Sequence, residues 1–416
     1  MAATHRASSR ASRLMIPRRR LDAVPKARSA PGRRVVLVGA GHAHLHLLRR
    51  AAEFARRGFG LTVIAPDDFW YSGAATGVLG GHYPPEFERI DIAAVLAGSG
   101  ATLVRGRLSG LDLESRQLLV DGGCAIPFDV VSLNLGSAPP MLPGNHRSSF
   151  DVKPVVNLHR LRMALDAWHR ERPGDRPRIA VVGGGMTGVE IAANLDRLAS
   201  RMYASFAIGL YTSGRVLREL PVAAAEGVVR ALQRRGVDIV AHSRVLTVDD
   251  RCVTLADSRT HRADFVVNAT GLEPAHVTRA LGLPIDGDGA LVVDASLAST
   301  GSSVVFAAGD CIAFRGVALP RVGVYAVRQA PILLHNLLAT LEGRPLLRFE
   351  PQRHFLAIMN LGDGTGLAVR AGYRWRGRLA WRLKNAIDEK FLAEYRPENA
   401  LGAIRPESIG LTRSQP

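Results

Sequence analysis

Two glycine-rich turns carry the clearest chemical signal in this sequence. The first lies in Val35-Val36-Leu37-Val38-Gly39-Ala40-Gly41-His42-Ala43-His44, the second in Ile179-Ala180-Val181-Val182-Gly183-Gly184-Gly185-Met186-Thr187-Gly188. In each, an apolar run with the pattern of a buried parallel strand breaks into glycines and opens a helix. Glycines permit a tight turn and close backbone approach to a pyrophosphate, and the helix start offers free N–H groups and the positive end of its dipole. Gly39, Gly41, His42 and His44 are the candidate binding residues of the first turn. Gly183, Gly185, Met186, Thr187 and Gly188 are those of the second. Two such turns in one chain imply two dinucleotides, and two dinucleotides imply electrons passing between them.

Single residues sharpen or limit that picture. His44 takes the place of a third glycine, where it either contacts a phosphate or is accommodated as a packed side chain. His42, His44 and His46 invite a metal, yet only His42 and His46 share a helix face and no cysteine or carboxylate completes a ligand set, so no metal site is expected. Asp67 and Asp68 follow the apolar strand Leu61–Ala65. Asp67 is either an acceptor for ribose hydroxyls or a solvated turn carboxylate. The corresponding tip of the second unit, Tyr211-Thr212-Ser213-Gly214-Arg215, lacks the acid that favours NADH. Arg215 with its small hydroxyl neighbours suits a 2′-phosphate, which favours NADPH or dual use.

The elements that must hold these groups follow from period and punctuation. A helix is expected over His44–Arg57, closing a βαβ unit with Leu61–Ala65. Thr102–Phe128 alternates around Asp121-Gly122-Gly123, a hairpin signal. Val130–Leu135 is an apolar strand that stops at Gly136-Ser137, and Pro139–Pro154 is a crossover linker. The second unit continues with a strand at Ser205–Thr212 and a helix at Pro221–Arg235. Strands are expected at Asp238–His242 and Leu255–Ala256. Phe265–Ala269 ends in Thr270-Gly271, and Val304–Ala308 ends in Gly309-Asp310, followed by a helix from Val322 to Leu341. From Tyr373 to Tyr395 aromatics alternate with cations, then Leu383, Ile387 and Phe391 fall at helical spacing.

Composition excludes several classes. A chain of 416 residues with 47% hydrophobic content suits two or three soluble domains. No apolar stretch approaches the roughly 18–20 residues of a membrane span. Part of the formal charge of +17 is spread widely, with a concentration between Arg370 and Arg382, and a large part lies in residues 1–33, where one acid, Asp22, stands among many arginines. That tail lacks the apolar segment of a secretory signal and reads as disordered, with a transit segment or a start at Met15 as alternatives. No nucleic-acid motif accompanies the charge, so nucleic acid is not an expected partner, and an acidic membrane surface suits it better. Cys124, Cys252 and Cys311 are isolated and odd in number, which fits a reducing, cytoplasmic setting without disulfides.

The order of motifs resembles the pyridine nucleotide-disulfide oxidoreductase superfamily, the two-dinucleotide-binding flavoproteins, over roughly residues 34–396. The resemblance implies an α/β fold of two Rossmann-like domains with glutathione-reductase-like topology and a C-terminal α+β interface segment. It implies an FAD-binding domain in two parts (34–151 and 268–345), an inserted NAD(P)-binding domain (152–267) and an interface or membrane-association segment (346–416). FAD is then the cofactor and NADH or NADPH the co-substrate. Ala307-Ala308-Gly309-Asp310 is similar to the second FAD motif, whose aspartate meets the ribityl chain, and Gly136, Thr270 and Gly271 close the strand tips. Glu190 matches a glutamate near nicotinamide and flavin, where it positions the cofactor, relays a proton or simply answers the helix dipole. Lys153 matches residues beside the flavin, and Gln329 the quinone-site segment.

Disulfide reductases of this superfamily carry a cysteine pair in the stretch corresponding to Tyr71–Tyr83, and none is present. Hydride is therefore expected to pass directly from nicotinamide to flavin and onward to a quinone or other small acceptor, as in type II NADH dehydrogenases. Tyr71-Ser72-Gly73, Gly81-His82-Tyr83, Val152-Lys153-Pro154 and Trp381-Arg382-Leu383-Lys384 with Ile387-Asp388 resemble, more narrowly, the module fused to selenide, water dikinase. Reduction of selenium or sulfur species and a low-turnover FAD/NAD(P)H-binding partner are the alternatives. Trp375 and Trp381 beside Arg374, Arg376, Arg378, Arg382 and Lys384 suit a peripheral anchor on the inner face of the cytoplasmic membrane, or else a helix that closes the FAD domain or pairs subunits in a homodimer.

Overall fold

The computed structural model describes residues Gly32–Arg396, so the expected basic tail lies outside the described residues except for its last two. The first sheet grows around β1 (Arg34–Val38), which pairs in parallel with β2 (Gly60–Ile64). β3 (Thr102–Val104) lies beyond β2, and β4 (Val130–Leu133) flanks β1 on its other side. Val35, Leu37, Val131 and Leu133 are wholly buried, the burial on both faces that an uninterrupted apolar run predicts. The helix expected over His44–Arg57 is two pieces, α1 (His42–Arg49) and α2 (Ala51–Arg56). The break falls at Arg50, whose N–H donates to Leu47 O in a tightened turn that no glycine or proline announces. α3 (Ser72–Leu79) follows. The hairpin signal is realised between Gln117–Val120 and Cys124–Pro127, with Leu108–Asp112 added as a third antiparallel strand.

The chain then builds a second sheet. Its elements are β5 (Ser149–Asp151), α4 (Val156–Glu171), β6 (Arg178–Val182), α5 (Met186–Arg201), β7 (Ala207–Tyr211), α6 (Val222–Arg234), β8 (Asp238–Val240) and β9 (Phe265–Asn268). The order β5-β9-β6-β7-β8 is parallel throughout. The stretch Pro139–Pro154 is thus more than a linker, because β5 lies in it. Asn268 Nδ2 donates to Asp151 Oδ1 at 2.8 Å and fixes this strand, which is too short to show alternation. Cys252–Leu255 is the middle strand of an antiparallel sheet, beginning three residues and ending one residue before the expected Leu255–Ala256.

Four strands return to the first sheet: β10 (Leu291–Val293), β11 (Ala298–Ser299), β12 (Ser302–Ala307) and β13 (Ile312–Phe314). The eight strands run β13-β10-β11-β12-β4-β1-β2-β3. α7 (Gly323–Glu342) stops at Gly343, whose φ of 69° gives a left-handed cap. An antiparallel trio, β14 (Ala357–Asn360), β15 (Gly366–Arg370) and β16 (Tyr373–Gly377), leads into α8 (Arg378–Ala393). Met359, Leu361 and Leu367 of this C-terminal unit share one core cluster with Leu79 of α3 and Val189, Ile191 and Leu195 of α5. The C-terminal segment is thereby packed against the helices that flank both sheets' open ends.

In each sheet the order in which the chain adds strands reverses beside the central strand, between β1 and β4 and again between β6 and β9. Open α/β sheets bind ligands at such switch points, outside the carboxyl ends of the strands. Gly39 and Gly183 mark them. A Cβ on Gly39, at φ +86°, would stand 2.3 Å from Asn134 O. At Gly183, φ +128°, it would meet Ala269 O as closely. The same close crossing of strand ends is therefore built twice, and only glycine permits it.

Candidate active site

The first cradle gathers the carboxyl ends of β1, β4 and β12. Gly41 caps α1 without any side-chain hydrogen bond, so the opening N–H groups of that helix face outward unclaimed by a side-chain cap. Asn134, after β4, donates through Nδ2 to Ala308 O at 2.6 Å, while its Oδ1 is buried without a partner. Gly136 lies open at φ +73°. At the far end Asp310 Oδ2 accepts from Ser137 Oγ at 2.8 Å and from Lys153 Nζ at 3.2 Å. Burial pushes the Asp310 carboxyl upward, but the Lys153 ammonium, the Ser137 hydroxyl and His42 more than offset this, so it is held below the usual carboxylate range. The structure thus joins two residues, Lys153 and Asp310, that stand far apart in sequence.

His42 sits beside that ion pair and under aromatic rings. Its ring is 4.9 Å from Phe69 and 5.8 Å from Tyr71. Burial, reinforced by the Lys153 cation, lowers its pKa to about 4 against the opposing pull of Asp310, so the imidazole is neutral. His44 is turned away from the cradle. Its Nδ1 bonds Gly39 O at 2.5 Å and its Nε2 bonds Ser132 Oγ at 2.8 Å, both inside the protein. A phosphate contact by His44 does not agree with this burial; the side chain instead braces the turn from behind. Gln329 is likewise buried, and its Oε1 accepts from Gly309 N at 2.8 Å. The residue expected at an acceptor pocket therefore holds the turn of the Gly309-Asp310 motif. Asp67 is exposed, 3.9 Å from Arg107, while the neighbouring Asp68 is tied to Arg89 and Arg105.

The second cradle repeats the first. Gly185 caps α5, again with no hydrogen bond from its own side, and a Cβ on Gly188 would collide with Gly183 O, which is the close helix–strand packing a third glycine allows. Met186 N–H donates to Glu219 Oε1 at 3.1 Å, so a carboxylate rests where a phosphate oxygen would be received. Thr187 is exposed at the opening turn. Thr270 donates through Oγ1 to Asn268 Oδ1, and Gly271 has open space around it. Arg215 is not free for a 2′-phosphate: Nη2 donates to Arg218 O and Leu220 O at 2.9 and 2.8 Å, and Nη1 is buried. The guanidinium closes its own loop because those carbonyls lack other donors within it.

A buried charge cluster connects the two cradles. Glu190, one turn into α5, accepts at Oε1 from Thr76 Oγ1 and from Asn360 N, each at 2.9 Å. Lys384 Nζ donates to Asp388 Oδ2 at 2.8 Å and to Gly73 O at 2.5 Å. Tyr71 OH donates to Asp388 Oδ1 at 3.0 Å, and its ring stacks on Phe391 at 4.3 Å. The Lys384 and Asp388 side chains are only 11% and 6% exposed. Burial raises the Glu190 pKa; Lys384 and the two donors to Oε1 oppose this, while Asp388 reinforces it. For Lys384 burial works against the cation, yet Glu190 and Asp388 together raise its pKa. Of the two roles open to the Lys384 stretch, an interfacial anchor or a helix closing the domain, the lysine itself takes the second: it points inward because Asp388 and Glu190 attract its ammonium. Tyr71 caps α3 and Thr76 lies within it, while Asn360 comes from β14 and Asp388 from α8, so no local pattern announces that they meet, although Tyr71 and Asp388 each lie in a stretch singled out by the resemblance.

All three cysteines are unpaired. Cys311 is buried, and burial pushes its thiol up to about 11, which keeps it protonated and unreactive. Among the described residues no helix is long and apolar enough to cross a membrane.

A family model described as pyridine nucleotide-disulphide oxidoreductase matches residues 33–330. The chain belongs to that family. It is an oxidoreductase of the pyridine nucleotide-disulphide oxidoreductase family, which implies a flavin and NAD(P)H, and the open helix starts with the orphaned Asn134 Oδ1 and the Asp310 carboxylate fit that pair of groups. Demethylphylloquinone reductase NdbB of Synechocystis is 28% identical over 294 residues, covering 67% of this chain and 70% of that protein. Human ferroptosis suppressor protein 1 is 28% identical over 299 residues, covering 68% and 75%. Among solved structures, the sulfide:quinone oxidoreductase from Aquifex aeolicus superposes with a TM-score of 0.71 at 16% identity, over 89% of this chain and 92% of that one. That likeness is one of fold.

Proposed function

We propose that this pyridine nucleotide-disulphide oxidoreductase is an FAD-dependent NAD(P)H:quinone reductase that works without a redox-active disulfide. The carrying observation is the pairing of two switch-point cradles with a cluster of ionisable side chains running between them, and no cysteine pair in that space. The quinone acceptor is supported by the name of the Synechocystis relative. The overall reaction balances as NAD(P)H, one proton and quinone giving NAD(P)+ and quinol. Bound in the first cradle, FAD supplies the two-electron chemistry between nicotinamide and acceptor.

The chain's own residues bind, orient and manage the proton. Gly39, Gly41, His42 and Gly136 would line the first cradle around FAD, Asp310 would receive the ribityl hydroxyls, and Lys153 places a fixed cation beside Asp310. Gly183, Gly185, Met186, Thr187, Gly188, Thr270 and Gly271 receive the nicotinamide nucleotide. Glu190 has one oxygen engaged by two donors and is the group suited to exchange the proton that quinol formation consumes.

The outer face of α8 supports access to a membrane-dissolved quinone. Leu379, Leu383 and Ile387 are exposed on one stripe beside exposed Arg378 and Arg382, with Tyr373 and Trp375 exposed on β16. That composition suits a helix lying on an anionic bilayer.

The deciding experiment is spectroscopic. The purified protein should be yellow, release FAD on denaturation, bleach anaerobically with NADH or NADPH and recover its colour on adding a ubiquinone or menaquinone analogue. Colourless protein that cannot be reconstituted with FAD sinks this reading, and a bleached protein that quinones do not reoxidise sinks the acceptor.

A further inference from the structure

Resting on that reading, we propose that Asp388 and Tyr71 are positioning residues that set how tightly Glu190 holds its proton, acting through Lys384. Glu190 is enclosed by Thr76 from α3, Asn360 from β14, and Lys384 and Asp388 from α8. Among the described residues the charged groups acting on it are therefore one ammonium and one carboxylate, both on α8. Lys384 Nζ is committed at short range to Asp388 Oδ2 and to Gly73 O, and it reaches Glu190 by longer-range attraction. Two carboxylates, the nearly buried Asp388 and the half-buried Glu190, thus compete for a single cation that is itself only 11% exposed.

Such a cluster is short of one positive charge, so one carboxyl group is the natural resting place for a proton. Asp388 is the better-supported anion, because Tyr71 and Lys384 each donate to one of its oxygens. Among the described residues no side chain or backbone N–H donates to Glu190 Oε2, while Oε1 is fixed by two donors. The proton accordingly belongs to Glu190, and its affinity depends on how much of the Lys384 charge Asp388 withholds. Tyr71 tunes that division: by sharing the Asp388 charge it loosens the Asp388 hold on Lys384. An acid that must give up a proton and reload during turnover works best with its affinity near the operating pH.

The geometry makes opposite-signed predictions for two conservative variants. In Asp388→Asn the whole Lys384 cation turns to Glu190, and the Glu190 titration moves to lower pH, by about one unit. In Tyr71→Phe Asp388 draws more on Lys384, and the titration moves the other way by less. The test is an infrared pH titration of the carboxyl band in the FAD-loaded full chain, assigned by its loss in Glu190→Gln. In parallel, pH–rate profiles are taken with a quinone analogue and with ferricyanide, a one-electron acceptor that consumes no proton. Expected are shifts of opposite sign in the infrared midpoints, mirrored in the quinone profile and absent with ferricyanide. Midpoints that stay in place, or shift in one direction in both variants, overturn the proposal, as a mere staple for α8 would change the melting temperature alone. Should Asp388→Asn fail to fold, the sign of the Tyr71→Phe shift decides. A wild-type protein that does not reduce quinones would defeat the acceptor reading, and the infrared midpoints would still decide this one.

Discussion

The backbone N–H of Met186 donates to Glu219 Oε1, so an exposed carboxylate from the loop before α6 rests on the first turn of α5. A helix start favours negative charge by about 0.3–1 kcal/mol, and a pyrophosphate arriving there must displace this anion or lie against it. Glu219→Gln should therefore lower the Kd for NAD(P)H about two- to fivefold, with no change in the KM for quinone. Fluorescence quenching by nucleotide checks it. Weaker binding in the variant would mean that Glu219 instead holds the nucleotide.

Lys153 and Asp310 make a second prediction, with its sign fixed by linkage. The folded Asp310 carboxyl lies below its ordinary value, so its pairing stabilises the protein above the ordinary carboxylate pKa of about 3.9, and that stability is lost as pH falls through the lower folded value. Lys153→Met leaves a nearly buried carboxylate with Ser137 as its remaining close donor. The variant should lose on the order of 1–3 kcal/mol at pH 7. The gap to wild type should narrow as pH falls below the ordinary carboxylate value and close at acid pH once the folded Asp310, held lower still, takes up a proton. Chemical denaturation at both pH values measures it.

His44 predicts a second pH window. Burial lowers its pKa to about 4, from the ordinary histidine value of 6.5. The unfolded chain therefore binds more protons between those limits, and stability falls as pH drops from about 6.5 towards 4, by at most about 1.4 kcal/mol per pH unit for each such histidine. His42 and His46 are lowered similarly and add to the slope. His44→Ala should cost about 2–4 kcal/mol at pH 7, since it opens a void and strands Gly39 O and Ser132 Oγ. His44→Gln should flatten the slope between pH 4 and 6.5; an unchanged slope would mean His44 titrates normally.

Sequence alone discloses the parts of this protein that repeat a local rule. Val35–Val38 and Val181–Val182 are continuous apolar runs because parallel strands are buried on both faces, and the glycines after them are legible because the turn tolerates nothing else. The insertion of one nucleotide unit into another follows from motif order. What stays hidden depends on distance along the chain. Lys384 and Trp381 sit in a cationic, aromatic stretch, and period alone cannot say that the lysine turns inward while Leu383 and Ile387 face out. Gln329 and Arg215 occupy plausible positions, yet nearby backbone groups claim their side chains. The Tyr71–Asp388 bond spans most of the chain, and no local pattern encodes it.

The two faces of α8 lead to the last prediction. Lys384, Asp388 and Phe391 face α3 and the charge cluster, whereas Leu379, at 74% exposure, Leu383 and Ile387 face out. Burying part of three such side chains in lipid contributes a few kcal/mol, at about 25 cal/mol per Å2 of apolar surface, and flanking arginines add attraction to anionic headgroups. Replacing Leu379, Leu383 and Ile387 by serine should cut co-sedimentation with vesicles containing anionic lipid by at least about tenfold. Turnover with a water-soluble quinone analogue should stay within about twofold of wild type, because none of the three contacts the cluster. Equal loss of both would tie the outer stripe to the folding of α8, whereas undiminished vesicle binding would remove this face as the membrane contact.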